Sequence, residues 1–210
     1  MMPDSTSKQS GVFGSVKKQV NSDFSSTVTW VLIPIGIGLN AMGDFIANTL
    51  KLPLFLDNIG TVLLAILVGP WAAALTGGLS NLISGMIGNP VQMAFVLTPI
   101  AMGLVAGYLA RYGWFENTKK VIVPGILLGL TSVIFSVPVV VMVFGGVTGA
   151  GMSLITSLFV ASGLNIVMSA LISQLIVDLI DKTIMAYAAY FIAQSVPKRY
   201  LPKQGQEVMS

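Results

Sequence analysis

Two carboxylates in strongly apolar surroundings, Asp44 and Asp57, are the residues of this chain best placed to act on a solute. An ionisable group inside an apolar helix costs roughly 2.5 to 3.5 kcal/mol even on the gentler insertion scales, so it needs a match. Asp44 stands in Asn40-Ala41-Met42-Gly43-Asp44, with Asn48 one turn later on the same helical face. It can meet an amine-bearing solute, or it can pair with Lys51 or cap a neighbouring helix. Asp57 opens Asp57-Asn58-Ile59-Gly60-Thr61 after the apolar loop Leu52-Pro53-Leu54-Phe55-Leu56. An acidic or amide side chain there caps the free N–H groups of the next helix. Alternatively, Asp57, Asn58 and Thr61 line a pocket beneath the loop. Asn81, Ser84, Asn89 and Gln92 form a second polar set, and Thr148, Ser153, Thr156, Ser157, Ser162 and Asn165 a third. Uncharged amides and hydroxyls read a hydrogen-bonding small molecule without burying charge. Singly, each is an ordinary interhelical hydrogen-bonding group; together they converge on three loops of one side. Asp178 and Lys182, four apart and next to Asp181, read as an ion pair toward the inner part of the last helix, with a proton or ion relay as the alternative.

The chain has no cysteine and no histidine, which removes thiol nucleophiles, imidazole bases, disulfides and the commonest zinc ligands. No two carboxylates stand at a spacing that suggests catalysis, so no catalytic residue, metal site, cofactor or enzymatic activity is expected. No G-x-x-x-x-G-K-[ST] phosphate loop occurs, and no segment is long enough for a separate ATP-binding domain.

The elements that position these residues are helices of an integral membrane protein. With 54% hydrophobic and 9% charged residues and a mean hydropathy of +0.85, the chain lacks the charge to cover a soluble domain. Apolar runs over residues 28–50, 56–68, 71–87, 91–111, 121–144 and 158–192 predict a compact all-α bundle of six transmembrane helices. The second run is short, which calls for a tilted or recessed helix. Flanking segments 1–27 and 195–210 read as cytoplasmic tails around a membrane domain spanning 28–194; the first has a short amphipathic helix around Val12 to Val20 and no signal peptide.

Ten of the eleven basic residues fall on one side of these spans: Lys8, Lys17, Lys18, Arg111, Lys119, Lys120, Lys182, Lys198, Arg199 and Lys203. Only Lys51 falls on the other, so the positive-inside rule makes both termini cytoplasmic. Trp30, Trp71 and Trp114 lie at the same inner level, as an interfacial belt requires. Basic residues scattered at span ends make no patch for nucleic acid. Small residues four apart, Gly103 with Gly107, Gly125 with Gly129, Ser80 with Ser84 and Ser169 with Ser173, suit close helix packing in lipid.

Three stretches carry a family resemblance: Leu56-Asp57-Asn58-Ile59-Gly60-Thr61, Leu67-Val68-Gly69-Pro70-Trp71-Ala72-Ala73-Ala74 and Gly78-Leu79-Ser80-Asn81-Leu82-Ile83. With the six spans they resemble the substrate-binding S components of energy-coupling factor (ECF) transporters, over most of residues 28–194. The resemblance implies a subunit in the plasma membrane of a prokaryote that captures a vitamin, vitamin precursor or related micronutrient at its outer face. Its partners would be a transmembrane T subunit and two cytoplasmic ATPases. It implies a ligand site among residues 52–61, 81–92 and 148–165. It also implies a small-residue face on the first span that docks the T subunit, for which the nearest match is Gly36-x-x-x-Asn40 and Gly43-x-x-x-Ala47 with Gly38 and Ala41. A solitary proton-coupled transporter using Asp44 or Asp178, and a membrane assembly protein, are the competing readings. Asp44 and Asp57 favour a cationic or amine-bearing heterocycle as ligand.

Overall fold

A computed structural model of the chain describes residues 5–146, 152–197 and 201–208, and all regular structure among them is helical. In order these are α1 (Ser5–Phe24), α2 (Thr27–Thr49), α3 (Ile59–Leu67), α4 (Pro70–Ile87), α5 (Val91–Ala94), α6 (Leu97–Arg111), α7 (Ile122–Met142), α8 (Met152–Ala161), α9 (Ile166–Ser195) and α10 (Lys203–Val208). The short α3 is the axis of the bundle. Every residue from Gly60 to Leu67 is buried, and α2, α4, α6 and α9 all pack around it. Among the described residues two helices, α2 and α7, are long and apolar enough to cross a membrane, and only 28% and 39% of their most apolar stretches are buried.

Two expected helices are divided. The run over 91–111 breaks after α5 because Pro99 lacks the N–H that an unbroken helix would send back to Phe95. The run over 158–192 breaks at Gly163, whose φ is +96°, and α9 starts afresh at Asn165, whose side chain accepts from the Met168 N–H. This restart sets Asp181 and Lys182 beside the segment that precedes α3. Helix α9 begins eight residues later than the apolar run suggests, so Asp178, Asp181 and Lys182 lie at mid-helix and not toward its C-terminal end.

Helix α2 is about 35 Å long and α3 about 14 Å, so the segment joining them, residues 50–58, has to descend into the bundle. Its descent needs support that α3 does not supply from its own sequence. Asn58 occupies the position before α3 but makes no side-chain cap bond, so the self-capping expected of Asp57 and Asn58 does not occur. The cap comes from α2 instead. Asn40 Oδ1 accepts from the N–H groups of Gly60 and Thr61 at 2.7 and 3.2 Å, while its Nδ2 donates to Thr61 Oγ1 at 2.8 Å and Ser80 Oγ at 2.9 Å. One amide thus ties three helices and satisfies the first turn of α3.

Small residues let the backbones meet as expected. A Cβ on Gly103 or Gly107 would strike the backbone of α4, and one on Gly125 or Gly129 the backbone of α9. Between helices the tightest approach among the described residues is α2 against α3, where a Cβ on Gly60 would run into the backbone of Gly36. Backbone atoms cannot rotate aside. We expect Gly60→Ala to push the two helices apart and cost about 1–3 kcal/mol or more, read as a lower unfolding midpoint in detergent.

Parts of the flanking segments, residues 19–24 and 201–208, pack on the bundle. Asp23 Oδ2 accepts from the Trp71 N–H at 2.9 Å, capping α4 from outside, and Gly69, at φ +141°, leaves room for that carboxylate. Arg111 bonds Asp23 at 2.5 Å and Gln204 at 2.8 Å, and Gln204 donates to the Ala65 carbonyl at 3.1 Å. Burial pushes the Asp23 carboxyl above its usual range, opposed by the Trp71 N–H and by the Arg111 guanidinium. Leu201 and Val208 are buried beneath α3.

Candidate functional site

At the end of the bundle opposite α1 and α10, the helices part around a pocket of about 100 Å³. Helix α2 contributes Asp44 and Asn48; the descending segment contributes Phe55, Asp57 and Asn58; and α4 contributes Asn81. Asn89, Val91, Gln92 and Phe95 come from the turn and short helix after α4, and Thr98 and Pro99 from the start of α6. Ser132, Ser136 and Val140 face it from α7, and Gln174, Asp178 and Lys182 from α9. Apolar walls and a few convergent polar groups are the usual make-up of a small-molecule site. Phe95 is itself braced by Phe144, their rings 5.8 Å apart and nearly parallel.

Of the residues expected to bind a solute, Asp44, Asp57, Asn58, Asn81, Asn89 and Gln92 line this pocket. Thr61 does not: it is buried against Asn40. Ser84 lies outside the lining, its carbonyl accepting the N–H groups of Gly88 and Asn89 at the end of α4. Asn165 is exposed and caps α9. Thr148 lies outside the described residues.

The ionic contacts differ from those expected. Asp44 makes no ion pair with Lys51 among the described residues; its Oδ1 accepts from Asn48 Nδ2 at 2.8 Å. Lys182 does not pair back along its own helix with Asp178. Its ammonium lies 2.6 Å from Oδ2 of the neighbouring Asp181 and reaches across to the descending segment, 3.6 Å from Asp57 Oδ1 and 5.3 Å from the centre of the Phe55 ring. Asp181 Oδ1 accepts from the N–H groups of Phe55 and Leu56 at 3.1 and 3.0 Å. The segment is therefore latched to α9 through both charge and backbone, and Leu56 is held at φ +53°. Lys182 is 3% exposed and lines the pocket, so it belongs to the site and not with the cations at the α1 end of the bundle.

Asp178 is left to the pocket. Its Oδ2 accepts from Gln174 Nε2 at 2.7 Å, the Ser132 hydroxyl and the Lys182 ammonium lie near enough to act on the same carboxylate, and its Oδ1 has no hydrogen-bond partner within 3.5 Å among the described residues. Asn58 Oδ1, Thr98 Oγ1 and Ser136 Oγ, all on the pocket lining, are likewise buried without a partner among the described residues. Most buried polar atoms in proteins are paired, so four such atoms around one cavity mark a place built to hydrogen-bond something else. Ser132, Ser136 and Gln174 were not singled out from the sequence. Their signal was there in the four-residue spacing of Ser132 with Ser136 and of Gln174, Asp178 and Lys182, each set on one face of an apolar helix.

The face expected to dock a partner divides in two. Gly36, Asn40, Gly43 and Ala47 are buried inside the bundle, where a Cβ on Gly36 would meet Leu64 and Thr76, and one on Gly43 the Leu56 backbone. They are occupied by this chain's own α3, α4 and descending segment. Gly38 and Ala41 are exposed on the other side of α2.

Comparison of the chain with models of protein families, with curated proteins and with solved structures finds no match.

Proposed function

We propose that this chain is a membrane-embedded solute-binding subunit, of the S-component kind found in ECF importers, for a vitamin, vitamin precursor or similar micronutrient. The observation that carries this reading is the pocket with its four unpaired buried polar atoms. A site that offers amides, hydroxyls and carboxylates to a solute suits capture better than chemistry. The membrane part is supported by the outward apolar surface of α2 and α7, including Phe45 at 69% and Ile134 at 67% exposure. Water would disfavour such a surface; lipid would not.

In this reading the six-span arrangement corresponds to α2, α3, α4, α5 with α6, α7 and α9, with both termini cytoplasmic in a prokaryotic plasma membrane. Lys17, Lys18, Arg111, Lys119 and Lys120 support that orientation, since they gather at the end where α1 meets α6. The pocket then opens outward. A T subunit and two ATPases would supply the energy, and the exposed side of α2 around Gly38 and Ala41 is the part of the small-residue face left for docking.

A second reading, a solitary proton-coupled transporter, is favoured by the buried Asp178 carboxylate with its free oxygen. Proteoliposomes separate the two. The subunit reading expects solute uptake only when T subunit and ATPases are co-reconstituted with ATP. Uptake by the chain alone that collapses with the proton gradient would replace it with the second reading.

A further inference from the structure

We propose that the solute held in this pocket is a flat ring compound carrying a protonated amine or amidine-type group, and that Asp178 is the residue that recognises this group. The inference rests on reading the chain as a solute-binding subunit and narrows the class of solute. It follows from which hydrogen-bonding capacities the protein leaves unused. Asp178 Oδ1 and Asn58 Oδ1 are pure acceptors, buried and without hydrogen-bond partners among the described residues, and Thr98 and Ser136 offer hydroxyls that accept as readily as they donate. What the cavity asks of its occupant is therefore donors.

The balance of charge points the same way. Three carboxylates line the pocket, those of Asp44, Asp57 and Asp178, against the single ammonium of Lys182. That ammonium is already engaged by Asp181 and Asp57 and lies over Phe55, so it is not free to receive an anionic solute. Asp57 is likewise shared, between Lys182 and the Asn58 amide. Asp44, held by Asn48, adds a second negative charge from α2. An anionic solute would face two carboxylates with no available cation, whereas a cationic one would complete a charge-assisted hydrogen bond at Asp178. Phe55 and Phe95 supply the aromatic walls for a ring.

The test is calorimetric titration of the purified chain in detergent with probes sorted by charge. Thiamine, pyridoxamine and 4-aminopyridine represent cations, cytosine and nicotinamide neutral rings, and nicotinate, pantothenate and biotin anions. Binding confined to or strongest among the cations is expected, with affinity for the best cation falling about tenfold or more in Asp178→Asn. Asp44→Asn, at a half-buried position, is expected to weaken the same probe less. Thermal unfolding of both variants separates lost binding from lost fold, and if Asp178→Asn does not fold, the Asp44→Asn arm and the charge ranking on the unaltered chain decide. Tighter binding of an anion, or a cation affinity unchanged in folded Asp178→Asn, overturns the assignment while leaving the solute-binding reading intact. If no probe binds and mass spectrometry finds no small molecule carried through purification, the solute-binding reading falls and this inference with it.

Discussion

Replacing Lys182 by Met should cost about 3–5 kcal/mol of stability, because it leaves the fully buried Asp181 carboxylate without its countercharge. Removing one partner of a buried ion pair is far more damaging than removing both. Here the second partner also holds backbone: Asp181 Oδ1 carries the Phe55 and Leu56 N–H groups. The double variant Asp181→Asn with Lys182→Met keeps an acceptor for those two bonds and has no orphaned charge at that position, so it should recover a large part of the loss. Unfolding midpoints in detergent measure both. A single variant as stable as the unaltered chain would mean that the latch between α9 and the descending segment is not formed. Loss of the latch should also abolish solute binding, since Phe55, Asp57 and Asn58 reach the pocket only along that segment.

Asn40→Leu is the second large effect. The substitution removes four hydrogen bonds at once and leaves the Gly60 and Thr61 N–H groups in the first turn of α3 with nothing to donate to. A lost cap costs about 1 kcal/mol in an exposed setting, and each buried group left unsatisfied about 1–3 kcal/mol. A loss of at least about 2 kcal/mol is expected on that basis. Asn165→Ala provides the comparison within the same molecule. It removes a cap that α9 receives from its own exposed N-terminal residue, and should cost about 1 kcal/mol. Equal losses for the two variants would show that α3 does not depend on α2 for its start.

The helices that carry the pocket were legible as apolar runs, and so was the gathering of polar groups near the loops around residues 57 and 89. Both depend on composition over a local stretch. What the sequence did not disclose depends on which helix a side chain turns toward. Asn40 looked like one small-face residue among several, but its burial between α3 and α4 makes it the cap of a helix twenty residues on. Lys182 looked like one more inner-side cation because the apolar run beginning near residue 158 conceals the break at Gly163. Once α9 starts at Ile166, the same lysine faces the descending segment. Its i,i+4 spacing to Asp178 permitted a pair; two carboxylates on and beside a descending loop offered a better one.

On the membrane-embedded reading proposed above, the nine residues of α3 bear on how the chain would enter a bilayer. About 20 apolar residues are needed for a helix to span on its own, so α3 is not an autonomous insertion unit. Before α2 is alongside, the start of α3 has no partner for its amides, and hydrocarbon supplies none. For the insertion machinery, α2, α3 and α4 therefore form a single transaction: the short helix is held back until both long neighbours are present, and it enters as the filling of a hairpin. A chain interrupted between α3 and α4 would hold α3 at the interface, exposed to surveillance proteases, while one interrupted after α4 would already protect it.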